Sequence, residues 1–394
     1  MRSEPPGGEQ GPAAGPDAQE PATGAAGTII AVTRGDRPTA AQQKQQQQQP
    51  MPPPPSGPRP RRRRDSTRAL ALAGALLLLV VAALLSLAVG SRSLPVGTVW
   101  DSLLHDNGSI ASSIVWDVRI PRTLAGIAAG AALGVAGALI QALTRNPLAD
   151  PGLLGINAGA ATGVVLSMTA FGLTTLWASV WFALAGAVLA GMLAYSVASG
   201  GRGGATPERL ALGGAVIAAV FTGVSQTLML LDAQTLDQLR FWSVGSLARA
   251  DSQTLTTVAP FIGVGLLLAL SLVRPLNAMA LGDDSARALG THLTRTRTLG
   301  LIAVTLLCGA ATAAVGPLVF VGLAVPHVAR MTVGADQRWT VPMSMLLAPS
   351  LLLFADVLGR VAVRPDELDA GVVTAVIGAP VFIALVRYRR VVPV

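Results

Sequence analysis

The sequence is poor in the charged residues that a soluble protein needs on its surface. Charged residues make up 13% of the 394 residues, whereas hydrophobic residues make up 51%, and the mean hydropathy is +0.56. So few charges cannot cover the outside of a soluble globule of this size. The chain is therefore predicted to be an integral membrane protein.

Lysine, cysteine and histidine are also scarce, and each scarcity excludes a kind of site. Lys44 is the only lysine and lies in a glutamine run, so the chain has no phosphate-binding loop of the GxxxxGK[ST] type. The only cysteine, Cys308, excludes an intrachain disulfide and a cysteine-rich metal site. His105, His292 and His327 are too far apart in sequence for a local metal motif. The sequence predicts no metal, no bound cofactor and no catalytic residue, so the chain is not expected to be an enzyme.

The formal net charge of +8 does not indicate a nucleic-acid partner. The arginines cluster at the ends of apolar runs, as expected for charges that are excluded from hydrocarbon. Residues 1–67 are dominated by Gly, Pro, Ala and Gln and are predicted to form a disordered tail. The arginines at 59–68 should keep this tail in the cytoplasm and attract it to anionic membrane lipid.

Residues 68–394 form the predicted transmembrane domain, in which apolar runs alternate with short charged connections. About 20 residues suffice to cross the hydrocarbon as a helix, so the total is about ten crossings. Residues 151–201 are long enough for a helical hairpin that turns at 172–175. Residues 298–329 are either a tight hairpin or two short packed segments. Single spans are predicted at 69–90, 123–144, 210–231, 252–273, 339–355 and 370–386.

The arginines also predict an orientation. If the tail is cytoplasmic, both termini and every arginine-rich connection face the cytoplasm, which makes the chain a multi-pass protein of the cytoplasmic (inner) membrane. The opposite side then holds residues 91–122, 232–251 and 360–369. The connections assigned to the cytoplasm are Arg145, residues 202–209, residues 274–297, Arg330 with Arg338, and residues 387–390.

Residues 119–155 contain an uncharged helix with unusual ends. Gly126, Gly130 and Gly134 recur every fourth residue, so one face is small enough for another helix to approach closely. Arg119 and Arg122 flank Pro121 at the start, where a cation opposes the helix macrodipole and needs compensation from elsewhere. The run Arg145, Asn146 and Pro147 is predicted to turn the chain on the cytoplasmic side.

The connection at about 275–297 is predicted to hold a short amphipathic helix that a soluble partner could bind. Acidic residues at its start suit a helix N-terminus, and Gly290 suits the stop. A solvated connector with an incidental helical turn is the alternative. The predicted contact residues are Leu281, Gly282, Asp283, Asp284, Ala286, Arg287, Leu289 and Gly290.

Several motifs in a fixed order resemble the permease subunits of iron-siderophore and cobalamin ABC importers, the FecCD-type family, over about residues 70–390. One departure is Glu367-Leu368-Asp369-Ala370-Gly371, where the family has E-L-P-V-G. The motifs that carry the resemblance are residues 119–122, 130–141, 145–149, the LGDDSARALG run at 281–290, 316–323, 326–330 and 371–380.

The resemblance implies the type II ABC importer permease fold and a set of partners. These are a second permease subunit, identical or paralogous, two cytoplasmic ATP-binding subunits that use ATP and Mg, and an extracytoplasmic substrate-binding lipoprotein. It assigns residues 281–290 to coupling with the ATPase, and Arg119, Arg122 and Arg360 to docking of the binding protein through its glutamates. The implied activity is import of a ferric siderophore by alternating access, with cobalamin or haem as alternative substrates.

Other interpretations remain open. An ion-coupled secondary transporter would share the topology but should carry carboxylates within its spans. A simpler role for the arginines is that Arg122 snorkels to lipid headgroups while Arg360 pairs with Asp356. Gln141, Asn157 and Gln226 either line a pathway or make hydrogen bonds between helices.

Overall fold

The computed structural model describes residues 61–90, 94–105, 108–152, 154–199, 207–231, 242–364 and 366–387. Apart from residues 61–67, the predicted tail lies outside these ranges. The described residues form thirteen helices and no strand. In chain order they are α1 (Arg61–Ala88), α2 (Val96–Leu104), α3 (Ile110–Thr144), α4 (Ile156–Thr169), α5 (Leu176–Ser199), α6 (Pro207–Leu231), α7 (Ser252–Ser271), α8 (Val273–Met279), α9 (Asp283–Ala288), α10 (Leu293–Val315), α11 (Val321–Val333), α12 (Gln337–Ala362) and α13 (Ala370–Arg387).

The predicted all-α fold with about ten crossings is confirmed. Seven helices are long and apolar enough to span a membrane by length and composition, and three apolar helices of 10–17 residues bring the total to ten. The three shorter ones are α4, α11 and the first part of α13. Helices α4 and α5 form a hairpin over residues 156–199, within the predicted range of 151–201, and Gly172 turns it with a φ of +62°, a value that favours glycine.

Residues 298–329, for which the sequence left a tight hairpin or two short segments open, lie in a long helix followed by a short one. Helix α10 ends at Val315, and Gly316 leaves the helical conformation with a φ of +77°. Helix α11 then has 13 residues, fewer than a full span needs. Its backbone is therefore packed among neighbouring helices, as expected for short segments at membrane depth.

Helix α3 begins earlier than predicted and passes through residues that the sequence suggested as a boundary. Residues Ile114–Arg119 form a π-helical turn directly before Pro121. A wider turn of this kind accommodates a proline inside a helix, because the proline has no N–H to donate to the preceding turn. The arginines on either side of Pro121 thus lie within the helix.

Helix α3 is the centre of the bundle. In its most apolar stretch 83% of the residues are buried, against 17% for α1. It packs against α7, α10, α11 and α12. Any change in the position of α3 must therefore be shared by most of the other helices.

Glycines let the backbones around α3 approach closely. Gly126, Gly130 and Gly134 all face α12, where a Cβ on Gly130 would lie 2.5 Å from the Cα of Pro349. Gly137, which the sequence did not single out, has the tightest contact on this helix, because its Cβ would lie 1.9 Å from the carbonyl oxygen of Gly322 on α11. That contact is between two backbones, so no side chain can move aside.

We predict that Gly137→Ala destabilises the protein by about 1–3 kcal/mol, the usual cost of overpacking. The methyl group would force α3 and α11 apart. Thermal unfolding of the purified protein measures the effect. Gly74→Ala is the matched control, because nothing lies within 4 Å of the added methyl group. Equal melting temperatures for the two variants would contradict the prediction.

Candidate functional site

Charged side chains lie buried at one end of the bundle, here called the Arg360 end. Arg122 binds Asp356 through Nη2 and Oδ1 at 2.8 Å and Glu367 through Nη1 and Oε2 at 2.7 Å. Arg360 binds the other oxygen of Asp356 at 2.9 Å. Asp356 is fully buried, and the residue exposures of Arg122 and Arg360 are 6% and 2%. The result is a network of two arginines and two carboxylates that joins α3, α12 and the segment before α13.

The same end of the bundle holds the C-terminus of α1. Arg119 donates from Nη1 to the carbonyl oxygens of Leu87 at 2.7 Å and Ala88 at 2.9 Å. Arg360 donates to the carbonyl oxygens of Val89 at 2.7 Å and Ser86 at 3.0 Å. The last carbonyls of a helix lack partners within the helix and carry partial negative charge. These contacts provide the compensation that an arginine at the start of a helix requires.

The structure thus places the three arginines of the predicted docking surface close together but inside the protein. Arg119 is 3% exposed, so all three guanidinium groups face partners within this chain. The pairing of Arg360 with Asp356, which the sequence suggested as a simpler role, is present. Docking to a binding protein stays a prediction. Glu367 was not recognised as the partner of Arg122, because 245 residues separate them and no local signal connects them.

A second charged cluster lies at the opposite end, here called the Asp283 end. Asp283, at the start of α9, accepts a hydrogen bond from Nη2 of Arg145 and another from Nη2 of Arg297 at 2.9 Å. Partial burial by itself would raise the pKa of Asp283, but the hydrogen bonds and charges of Arg145 and Arg297 outweigh it and leave the pKa below its ordinary value. One carboxylate therefore connects α9 to the end of α3 and the start of α10.

Arg145 reaches Asp283 because the chain turns sharply there. Its φ of +49° puts it in the left-handed region at the end of α3. The side chain of Asn146 accepts a hydrogen bond from the backbone N–H of Leu148 at 2.9 Å, a turn that asparagine commonly makes. Arg145, Asn146 and Pro147 thus form the tight turn that the sequence suggested, and the turn aims the guanidinium group at α9.

Helix α9 presents apolar side chains to solvent. Leu281 and Leu289, on either side of the helix, are 66% and 64% exposed, whereas Ala286 is fully buried. Asp284 is fully exposed and pairs with Arg287 at 2.8 Å. Gly282 and Gly290 adopt φ values of +103° and +79° at the two ends. The helix is thus fixed on its inner side and open on its outer side.

Between the two ends, buried polar groups join helices. Gln141 on α3 donates to the carbonyl oxygens of Gly322 and Leu323 on α11 and accepts from Nη2 of Arg330 at 2.6 Å. Arg330 is 1% exposed, so its side chain lies among the helices and not at the surface of the protein. Asn157 donates to the carbonyl oxygen of Leu318 at 3.3 Å. For Gln141 and Asn157 the structure shows hydrogen bonds between segments, whereas Gln226 is exposed on α6.

Comparisons with known proteins agree with this architecture. The sequence model of the FecCD transport family matches residues 78–388. The ferric enterobactin transport system permease protein FepD of Escherichia coli (strain K12) is 50% identical over 309 residues, which are 78% of this chain and 92% of FepD. The Fe(3+)-citrate import system permease protein YfmD of Bacillus subtilis (strain 168) is 39% identical over 306 residues, 78% of this chain and 91% of YfmD.

A solved structure described as an inward-facing conformation of a metal-chelate type ABC transporter has the same fold. Its TM-score is 0.70 at 28% identity, and the match covers 81% of this chain and 99% of that one. The structural match extends over nearly all of the solved chain, and the family match extends over most of this one. The chain is therefore a multi-pass membrane permease that belongs to the FecCD transport family.

Proposed function

We propose that this chain is the permease subunit of an ATP-driven ABC importer, with ATP hydrolysed by a separate subunit. The observation that carries the proposal is α9, a short helix that is fixed through Asp283 and is flanked by the exposed side chains of Leu281 and Leu289. An exposed apolar pair on a rigid support is suited to binding another protein. Lys44 is the only lysine, so the chain has no GxxxxGK[ST] loop, and the proposal assigns ATP and Mg to the partner subunits.

The proposed assembly has two permeases, identical or paralogous, two cytoplasmic ATP-binding subunits and an extracytoplasmic binding lipoprotein. The Asp283 end and both termini lie in the cytoplasm, which agrees with the arginines found on that side. The Arg360 end then faces the binding lipoprotein. Docking through Arg119, Arg122 and Arg360 carries a geometric requirement, because glutamates of the lipoprotein must compete with Asp356, Glu367 and the carbonyls of α1.

The proposed substrate is a ferric siderophore. The names of the relatives support this substrate, since FepD is named for ferric enterobactin and YfmD for Fe(3+)-citrate. Haem and cobalamin are the alternative substrates, and competition with the ferric siderophore in an uptake assay distinguishes them. No covalent change of the substrate is proposed.

Helix α3 links the two ends in the proposed transport cycle. Its end at Arg145 is tied to the coupling helix α9, and Arg122, in its first half, is tied to α12 and to Glu367. Closure of the ATPase pair would move α9, and the ion pairs of Asp283 would pass that movement to α3 and α10. Because α3 contacts most other helices, its displacement changes the side to which the central pathway opens.

Reconstitution in proteoliposomes tests the function. The permease, an ATPase subunit and the binding lipoprotein of the same organism are combined, and uptake of a ⁵⁵Fe-labelled ferric siderophore is measured. We expect uptake to require ATP and the lipoprotein together. Labelled haem and cobalamin serve as competing substrates in the same vesicles. Uptake driven by a proton or sodium gradient without the ATPase would contradict the proposal and favour a secondary transporter.

A further inference from the structure

A cavity of about 470 Å³ lies at the Asp283 end, between the end of α7, α8, the segment after α9 and the start of α10. Its size falls within the range of about 300–1,000 Å³ that is usual for small-molecule sites. Its polar lining includes Arg274, Arg295 and His292 and the hydroxyl groups of Ser271 and Thr291. The described residues that line it include no carboxylate.

The two arginines of the cavity differ from the other arginines around α9. Arg145 and Arg297 share Asp283, and Arg287 pairs with Asp284. Arg274 and Arg295 are exposed and make no hydrogen bond or ion pair with any residue in the described part of the chain. The nearby acids are thus engaged by other cations, and two positive charges in the cavity remain without a counter-charge.

Apolar side chains continue from the cavity along the two helices that form it. On α7, Leu267 and Leu270 are 69% and 44% exposed; Leu267 lies about one turn before Ser271, and Leu270 directly precedes it. On α10, Leu301 and Ile302 are 42% and 44% exposed and follow Leu299, which lines the cavity. The cationic cavity therefore lies at the boundary between an apolar helix surface and the polar connections of residues 272–292.

We propose that this cavity binds the phosphodiester headgroup of an anionic phospholipid. Arg274 and Arg295 would bind the phosphate oxygens through charge-assisted hydrogen bonds, and the hydroxyl group of Thr291 would donate to a remaining oxygen. The acyl chains would lie along the exposed leucines of α7 and the apolar residues of α10. Basic pockets between membrane helices at this depth are suited to anionic headgroups.

Lipid binding at this site would act on the coupling region. The cavity is lined by Leu289 and Gly290, which follow α9, and by residues of α10. A bound headgroup would join α8, the end of α9 and α10 and would hold the coupling helix in place. The inference requires insertion in a membrane but not ATP-driven import, so its failure would leave the proposed function untouched.

Titration of the delipidated permease in neutral detergent tests the site. Native mass spectrometry counts bound dioleoylphosphatidylglycerol or dioleoylphosphatidylcholine per permease. We expect phosphatidylglycerol to bind more tightly than phosphatidylcholine. The double substitution Arg274→Gln with Arg295→Gln should lower the affinity for phosphatidylglycerol by about 30-fold, because each arginine contributes about 1 kcal/mol near an anionic headgroup. Arg274→Lys with Arg295→Lys keeps both charges and should bind within about fivefold of the wild type.

The matched control is Arg338→Gln with Arg387→Gln, which removes two exposed arginines outside the cavity. An equal loss in this control would show only a general surface charge effect and would overturn the site. Equal binding of phosphatidylcholine, or displacement of the anionic lipid by millimolar inorganic phosphate, would also overturn it. The variant Arg274→Gln with Arg295→Gln could instead fail to retain the ATPase subunit in a pull-down while its lipid affinity is unchanged. That outcome would overturn the lipid site and assign the cavity to the interface with the ATPase subunit.

Discussion

Arg122→Glu is expected to prevent accumulation of the folded permease. The substitution would place a third carboxylate beside Asp356 and Glu367, and Asp356 is fully buried. Removing one partner from a buried ion pair costs about 3–5 kcal/mol, because the other charge stays in a medium of low dielectric constant. Reversing the charge adds repulsion to that loss. The effect is measured as the yield of monodisperse protein after gel filtration, compared with the yield of the wild type at equal expression.

A compensated variant separates the loss of charge balance from the loss of side-chain packing. Arg122→Met combined with Glu367→Gln removes one charge of each sign, keeps side chains of similar length and leaves Asp356 paired with Arg360. We expect this double variant to recover most of the folded protein that Arg122→Glu loses. Normal folding of Arg122→Glu alone would show that the buried network contributes little.

The burial of Arg119 and Arg122 changes how docking of the binding lipoprotein must be tested. Charge reversal of Arg119 and Arg122 together would test docking only if both arginines lay at the surface, where charges can be reversed without loss of fold. Both side chains are almost fully buried and hold the end of α1 and α12 against α3. A loss of ATPase stimulation by the binding lipoprotein is therefore informative only in variants whose folding and assembly are intact.

Asp283→Arg is expected to lower ATP-driven uptake by about tenfold while leaving the permease folded. Three arginines would then face one another where α9 meets the ends of α3 and α10, so α9 would lose its fixed position. The side chains of Asp283, Arg145 and Arg297 are 31%, 37% and 48% exposed, and such ion pairs contribute only about 1 kcal/mol or less to stability. Loss of coupling by about 0.5–2 kcal/mol is a common magnitude for residues between two sites.

Uptake and ATP hydrolysis are measured in the same proteoliposomes, and the ratio of substrate imported to ATP hydrolysed reports coupling. Asp65→Arg is the matched control, because it breaks an exposed pair with Arg68 within one helix that does not involve α9. Adding Arg145→Asp to Asp283→Arg restores one opposite-charge pair and should recover part of the coupling ratio. An unchanged ratio in Asp283→Arg would contradict the role of this cluster.

Much of the fold could be predicted because the rules involved are local. A hairpin in residues 151–201 followed from the length of the uncharged run, and its turn at Gly172 followed from a glycine between two apolar segments. The predicted start of α3 was wrong because the same local rules were applied where distant groups decide. Arg119, Pro121 and Arg122 carry the local signs of a membrane boundary, but their charges are compensated by groups elsewhere in the fold.

The candidate sites were predicted unevenly. The residues around α9 form one continuous motif, so they could be found together, and the helix begins at Asp283 as the acidic pair suggested. The partners that hold this helix could not be found, since Arg145 lies 138 residues before Asp283. Gly137 was missed because its spacing differs from that of the preceding glycines, and only the position of Gly322 makes it the closest contact of α3.

The sequence by itself determined the class of the protein and the approximate number of crossings, because hydrocarbon thickness and the exclusion of charge act on each segment separately. The family followed from motifs that stand in a fixed order along the chain. Only the tertiary structure decided which charges are buried and which are exposed. Arg122, Arg330 and Arg360 resemble surface arginines in sequence, yet each is buried against groups from a distant helix or segment. The environment of a charge depends on what the fold brings beside it, and no single segment contains that information.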